Sequence, residues 1–223
     1  NNPSKNILSE KELKEMNPSS LIECIAQLPT YEHRVLYYGP MSMEEVSSTV
    51  AELHKVPATL KTVEKNNTFQ YQRADENIVY IAPYDANQIY MSAVSNQGEQ
   101  YSLEKTPIIT LYNEYFGGGM NSIVFQEMRE KRSLAYQASS RYIMGSNKTD
   151  KNYNLAHIAT QNDKVVEAFD AFNSLLDYMP VAENNFDLAK QSLLKSIATN
   201  RTTKQAIISS YLNDKEYGRK ENF

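Results

Sequence analysis

The sequence predicts an α+β domain in which a largely antiparallel sheet is covered on one face by helices, and three observations predict it. Strand-like runs come in hairpin-compatible pairs, Ile78–Ala82 with Gln88–Ser95 and Tyr136–Met144 with Tyr153–Thr160. Helical patterns are grouped after them, at 164–179, 183–199 and 203–214, whereas a doubly wound sheet would alternate strand and helix throughout. A chain of 223 residues, 41% of them hydrophobic, can bury a core of that kind.

In chain order, residues 9–28 read as two helices: Ser9 to Glu12 is a capping box, and Asn17-Pro18 restarts the helix with a cap and a first-turn proline until Pro29 stops it. His33–Tyr38 is a short β-rich run closed by Gly39-Pro40, and Ser42 with Glu45 opens a helix carrying Val46, Val50 and Leu53 on one face. The polar stretch 56–76 reads as a connection. Pro83-Tyr84-Asp85 is the expected turn between the first two central strands, and Thr106-Pro107 caps a helix through Ile108, Leu111, Tyr112 and Tyr115 that ends at Gly117-Gly118-Gly119. A second helix follows over 121–132. The later strand pair is joined by the turn Gly145-Ser146-Asn147-Lys148, and alternation puts Tyr153, Leu155, His157 and Ala159 on one face of its second strand. In the last group of helices, the apolar faces run through Val165, Phe169, Phe172 and Leu176, then Phe186, Leu193 and Ile197, then Ile207, Tyr211 and Leu212. The domain plan is thus a helical segment over 1–30, one α+β domain over 31–217 with 56–76 as its internal connection, and a tail over 218–223.

Charge is mixed in sign with a formal net of −4, which argues against nucleic acid and anionic membranes as general partners. No stretch approaches the ~18 apolar residues that span a bilayer, and no signal-peptide core follows Asn1. The missing initiator Met and the charged end at Phe223 suggest an excerpt from a longer protein. Cys24 excludes an internal disulfide, and its apolar neighbours Leu21, Ile22, Ile25 and Ala26 predict a buried thiol. Compartment is not fixed by these features, nor by the glycosylation-type triplets starting at Asn66, Asn147 and Asn200.

For metals, His33, His54 and His157 stand far apart in sequence, and none has a His or Glu at a spacing that sets two ligands on one helix face. Each reads as a structural or surface histidine, with His157 hydrogen-bonded near the core. No Gly-x-Ser-x-Gly elbow exists, and Cys24 has no histidine close in sequence. Gly117–Gly119 lacks the Gly-Lys-Ser/Thr ending of a P-loop and the third glycine of a dinucleotide fingerprint, since Met120-Asn121-Ser122 follows. By composition it is a flexible inter-helix turn, and the charges of 127–132 are a solvated helix end.

Read as one block, Tyr115-Phe116-Gly117-Gly118-Gly119-Met120-Asn121-Ser122-Ile123-Val124-Phe125 followed by Arg129-Glu130-Lys131-Arg132-Ser133-Leu134-Ala135-Tyr136 closely resembles the signature of the later, non-zinc domain of pitrilysin-type (inverzincin) zinc metallopeptidases. That family includes insulin-degrading enzyme and mitochondrial processing peptidase. Val35–Pro40 and the helix from Ser42 look like the strand, glycine and helix that open the same domain, so the resemblance covers roughly residues 10 to 200. It implies a processing-peptidase-like domain that closes a peptide chamber while another domain, or another subunit, supplies zinc and the general-base glutamate through an H-x-x-E-H motif absent here. It also implies a role for Arg129 and Tyr136, whose spacing and context match an arginine and a tyrosine that hold the substrate backbone at the zinc site.

On that reading Tyr136 is the catalytic residue, and Arg129, Gly117, Gly118 and Gly119 bind substrate, although the glycine segment is much shorter than its counterpart in processing-peptidase subunits. Arg132 competes with Arg129 but stands only four residues before Tyr136. The expected partners are a peptide substrate and the zinc-bearing domain. No metal or other cofactor is expected on this chain, which alone should be inactive, and the family resemblance favours a cell-envelope or periplasmic location. The alternative is a catalytically inactive scaffold or interaction protein of the same fold family.

Overall fold

In the computed structural model, residues 7–64, 76–145 and 148–219 are described. Internal packing divides the chain into two units, 1–69 with 203–211 and 70–202 with 212–223.

The first unit is helical. Helix α1 (Glu10–Glu15) begins with the expected capping box, Ser9 and Glu12 each accepting a backbone N–H of the other. Asn17 caps α2 (Pro18–Gln27) through the N–H of Ser19, and a short 3₁₀ turn at Leu28–Thr30 holds Pro29. Ser42 and Glu45 form a second capping box on α3 (Met43–Leu53). Reciprocal bonds of this kind satisfy N–H groups that the first turn leaves without intrahelical partners. They also hold both carboxyls below the usual range: Glu12 mainly through the Ser9 hydroxyl, Glu45 mainly through the Ser42 backbone N–H.

Two expectations fail here. Cys24 is exposed, as are its apolar neighbours Leu21, Ile22 and Ile25 on α2 at 56–65% exposure. His33–Tyr38 forms no strand: the nearest β pairing is just before it, the parallel bridge Tyr31–Lys61, closed by Glu32 N–H to Lys61 O (2.9 Å) and Lys61 N–H to Thr30 O (2.8 Å). β-Propensity measures side-chain fit to a pleated surface and supplies no partner strand.

The second unit holds the sheet. Strands β1 (Gln88–Ser95), β2 (Gln137–Ile143) and β3 (Tyr153–Gln161) lie in the order β1-β3-β2, both pairings antiparallel. In that register Met91, Ile158 and Ala138 align across one face, and Tyr90, Ala159 and Gln137 across the other. The core cluster draws on Met91, Ala138, Ala156 and Ile158 from the sheet, all on one face by register, and packs them under Phe116, Val124, Met128 and Phe172. The helices therefore cover one face, as expected for an antiparallel layer.

Those helices are α4 (Thr106–Asn113) running into a π-helical turn at Glu114–Gly118, α5 (Ile123–Phe125) running into a second π-helical stretch at Gln126–Lys131, then α6 (Val165–Asp177) and α7 (Glu183–Thr199). A last helix, α8 (Ile207–Tyr217), is divided between the two units. Thr106 does not cap α4: Lys105 holds that position, and the Thr106 hydroxyl donates to Ser102 O at 3.1 Å. The α6 stripe also sits differently, burying Ala168, Ala171, Phe172 and Leu175 while Phe169 stays 51% exposed. Two alanines let α6 approach closely, which a count of large apolar residues does not weigh.

Of the remaining expectations, Ile78–Ala82 forms no strand, and Val79, Tyr80 and Ile81 are 83–88% exposed. The turn residues Ser146 and Asn147, the stretch 65–75 and the tail from 220 lie outside the described residues. Around that turn, Asn152 is 1% exposed, accepts from Gly145 N–H (3.0 Å) and donates to Gln100 O (2.9 Å). The outer edge of β2 is closed by a side chain: the Asn113 amide accepts from Tyr142 N–H (2.8 Å) and donates to Tyr142 O (2.9 Å).

Candidate functional site

The segment from Ile123 to Tyr136 carries both side chains singled out by the sequence, and its geometry starts with Met128. That residue has no exposed surface and pins the second π-helical stretch to the core. Arg129, the next residue, turns outward with its side chain 45% exposed.

The helix ends at Ser133, whose φ of 51° reverses the chain, with Ser133 N–H bonded to Arg129 O (3.1 Å) and Leu134 N–H to Met128 O (2.9 Å). Two side chains from the third strand and its exit hold this turn: the buried Thr160 hydroxyl donates to Leu134 O, and Lys164 Nζ to Ser133 O at 3.0 Å. Tyr136 N–H then pairs with Ala159 O (2.9 Å), so its backbone is fixed while its ring is 64% exposed.

The result is a stacked trio. The Arg129 guanidinium lies 5.1 Å from the Phe125 ring centroid and 5.3 Å from that of Tyr136. Cation–π attraction of this kind orients the cation without using its hydrogen-bond donors. Its ion pair is a long one, Nε to Glu130 at 3.7 Å. Arg132, the competing arginine, instead points to Glu127 (3.7 Å), a carboxylate that Lys131 also engages at 2.5 Å. The structure thus separates the two arginines, one against Tyr136 and one within a local charge cluster.

Beside Tyr136 is a shallow hollow of about 140 Å³, lined by Gln88, Tyr90, Tyr136, Gln137 and Ala159. Sequence reasoning did not single out Gln88, Tyr90 or Gln137. Strand alternation shows which residues share a face, but their meeting depends on register: Tyr90 and Gln137 both sit opposite Ala159. One row along the same face, Ser92 Oγ and His157 Nδ1 are 3.1 Å apart, so His157 is hydrogen-bonded on the face away from the helices.

The glycines lie elsewhere. Gly117 is buried against Ser140, where an added Cβ would come within 2.0 Å of the carbonyl oxygen and 2.6 Å of the backbone nitrogen. At Gly118 a Cβ would lie 2.6 Å from Asn113 O, whereas at Gly119 it would meet only Glu114 Oε1 at 3.8 Å. Two of the three positions therefore have packing reasons to be glycine.

Among the described residues no three His, Cys, Asp or Glu side chains converge as a metal-ligand group, and no helix is long and apolar enough to cross a membrane.

A family model described as "Peptidase M16 inactive domain" matches residues 16–193. No curated protein matches the chain. Similar solved structures include a peptidase M16 inactive domain from Pseudomonas fluorescens (19% identity, TM-score 0.47, 60% of this chain and 32% of that one). Others are a conserved protein from Enterococcus faecalis V583 (19%, 0.51, 78% and 40%) and a protease from Helicobacter pylori (14%, 0.53, 81% and 44%). This chain spans less than half the length of each.

Proposed function

Because this chain belongs to the peptidase M16 inactive-domain family, we propose that it is the non-catalytic, substrate-holding part of a zinc-dependent endopeptidase. It closes the peptide chamber and presents Arg129 and Tyr136 to a scissile bond held at the zinc site of another domain or subunit. The observation that carries this reading is the Arg129–Tyr136 pair: two exposed donors, 5.3 Å apart as cation and ring, on a backbone anchored by Met128 and Ala159.

The chemistry fits these side chains. A guanidinium offers several fixed N–H donors, enough to hold a peptide carbonyl while still stacked on an aromatic ring. A phenol O–H donates to the carbonyl oxygen as negative charge grows on it, and a donor placed there in advance stabilises the transition state more than the ground state. Zinc, when bound in the other domain, supplies Lewis acidity and an activated water. Gly119, open to a ligand, is the position in Gly117–Gly119 where we place a substrate contact.

The test is Tyr136→Phe in the intact peptidase. Turnover should fall by about 10²–10³-fold, the usual effect of losing one such donor, with zinc content unchanged. Arg129→Ala should chiefly raise KM. Wild-type turnover in Tyr136→Phe would refute the assignment and leave the domain as a scaffold.

A further inference from the structure

His33 and His54, 21 residues apart in the sequence, meet in the folded chain with their Nε2 atoms 2.7 Å apart and their rings edge to face. We propose that they form a two-imidazole binding site for a late first-row divalent metal ion, of which Zn²⁺ is the test case. The site is independent of the zinc read into the intact peptidase.

Both ligands are placed by backbone structure. His54 closes α3, its N–H bonded to Val50 O at 2.8 Å. His33 follows directly on the segment held by the Tyr31–Lys61 bridge. The His33 ring is also oriented, since its Nδ1 lies 2.5 Å from Tyr31 O. A carbonyl only accepts, so in the neutral ring Nδ1 of His33 carries the proton and its Nε2 presents a lone pair. His54 Nε2–H then donates to that lone pair. A histidine whose second nitrogen is fixed on a carbonyl is the arrangement found behind metal-bound imidazoles, because it sets the tautomer and the ring direction.

Metal entry needs only small changes. The His54 proton moves through solvent from Nε2 to Nδ1, leaving two neutral imidazoles with Nε2 lone pairs and no net change in protonation. Zn–N bonds of about 2.0–2.1 Å at tetrahedral angles place the two nitrogens roughly 3.3 Å apart, so the rings separate by a few tenths of an ångström from 2.7 Å. The two lone pairs, which face each other across the hydrogen bond, must also tilt toward a common point, a movement open to side chains at an exposed contact. Nitrogen ligands select zinc, copper or nickel over magnesium and calcium, which take oxygen. Among the described residues no third His, Cys, Asp or Glu completes the set, so water fills the remaining positions and the ion stays exchangeable.

The experiment titrates the metal-free protein with Zn²⁺ and, as controls for class, Ni²⁺ and Mg²⁺, in wild type, His33→Ala, His54→Ala and His157→Ala. The proposal expects wild type to bind one more zinc equivalent than either His33→Ala or His54→Ala, or to bind it at least roughly tenfold more tightly. His157→Ala should match wild type, and Mg²⁺ should not compete. Imidazole proton resonances of His33 and His54 should shift together on addition of zinc. Equal zinc stoichiometry and affinity in wild type and both variants, or resonances of the two rings that do not respond, would overturn it. Circular dichroism of each variant, expected to match wild type, ties a lost equivalent to lost ligands; loss of fold in both would be tested again with His33→Gln and His54→Gln, which must also lose the equivalent.

Discussion

Gly117→Ala is the sharpest structural test, because the clash is with backbone and cannot be relieved by a rotamer change. A Cβ there would sit 2.0 Å from Ser140 O, and ordinary contact begins at 3.4 Å, so the π-helical turn or β2 must shift by about 1.4 Å (3.4 − 2.0). The neighbours that would move include Phe116, 1% exposed, and the Asn113 amide on Tyr142. Overpacking of this kind costs about 3 kcal/mol, and the better helix propensity of alanine offsets about 1 kcal/mol. The net loss is about 2 kcal/mol, a fall in Tm of roughly 4–8 °C for a protein of this size. Thermal unfolding followed by circular dichroism measures it. Gly119→Ala is the control, expected within about 0.5 kcal/mol of wild type, since its Cβ would meet only Glu114 Oε1 at 3.8 Å and Gly119 is extended at φ −142°. A Gly117→Ala protein as stable as wild type, or an equal loss in Gly119→Ala, would refute the reasoning.

Asn152→Ala removes the partner of two backbone groups, Gly145 N–H and Gln100 O, and should cost about 3 kcal/mol, read as a lower urea midpoint at unchanged slope. Ser133→Gly should stabilise by about 0.5–1 kcal/mol in the same assay, because a φ of 51° strains a residue with a Cβ. Glu99 accepts from the Tyr142 phenol (2.7 Å) and from Lys105 (3.1 Å), which hold its carboxyl below the usual range, the phenol contributing most. Its folded pKa being depressed, the stability it contributes is present above the ordinary value of about 4.3 and is lost as pH falls through the folded value. Glu99→Gln should therefore show a shallower loss of stability on acidification below about pH 4.3.

Local chemistry was the legible part of the sequence. The caps at Ser9, Asn17 and Ser42 use bonds across two or three residues, and each forms as read. Gln88–Ser95 and the pair 137–143 and 153–161 were legible from alternation, and the helices from their periodicity. What depends on distant partners was not. Val35–Tyr38 and Val79–Ile81 have the composition of strands, yet no ladder partner among the described residues. In the candidate site, the Arg129 and Tyr136 spacing was visible, while the turn that joins them rests on Thr160 of β3 and on Lys164 just beyond it. His33 and His54 were far apart by the only measure a sequence offers.

The two outer strands of the sheet are not equivalent. Asn113 occupies both backbone groups of Tyr142, and Ser140, two residues earlier and so aimed the same way, lies beneath Gly117. An amide and a glycine thus take the place of a neighbouring strand, as capping devices do elsewhere against unwanted pairing. On the other side, β1 has no neighbour beyond it among the described residues. Growth of this sheet is therefore directional: any added strand, from the same polypeptide or another, must register against Gln88–Ser95, and the length and parity of that one strand set the rules for joining.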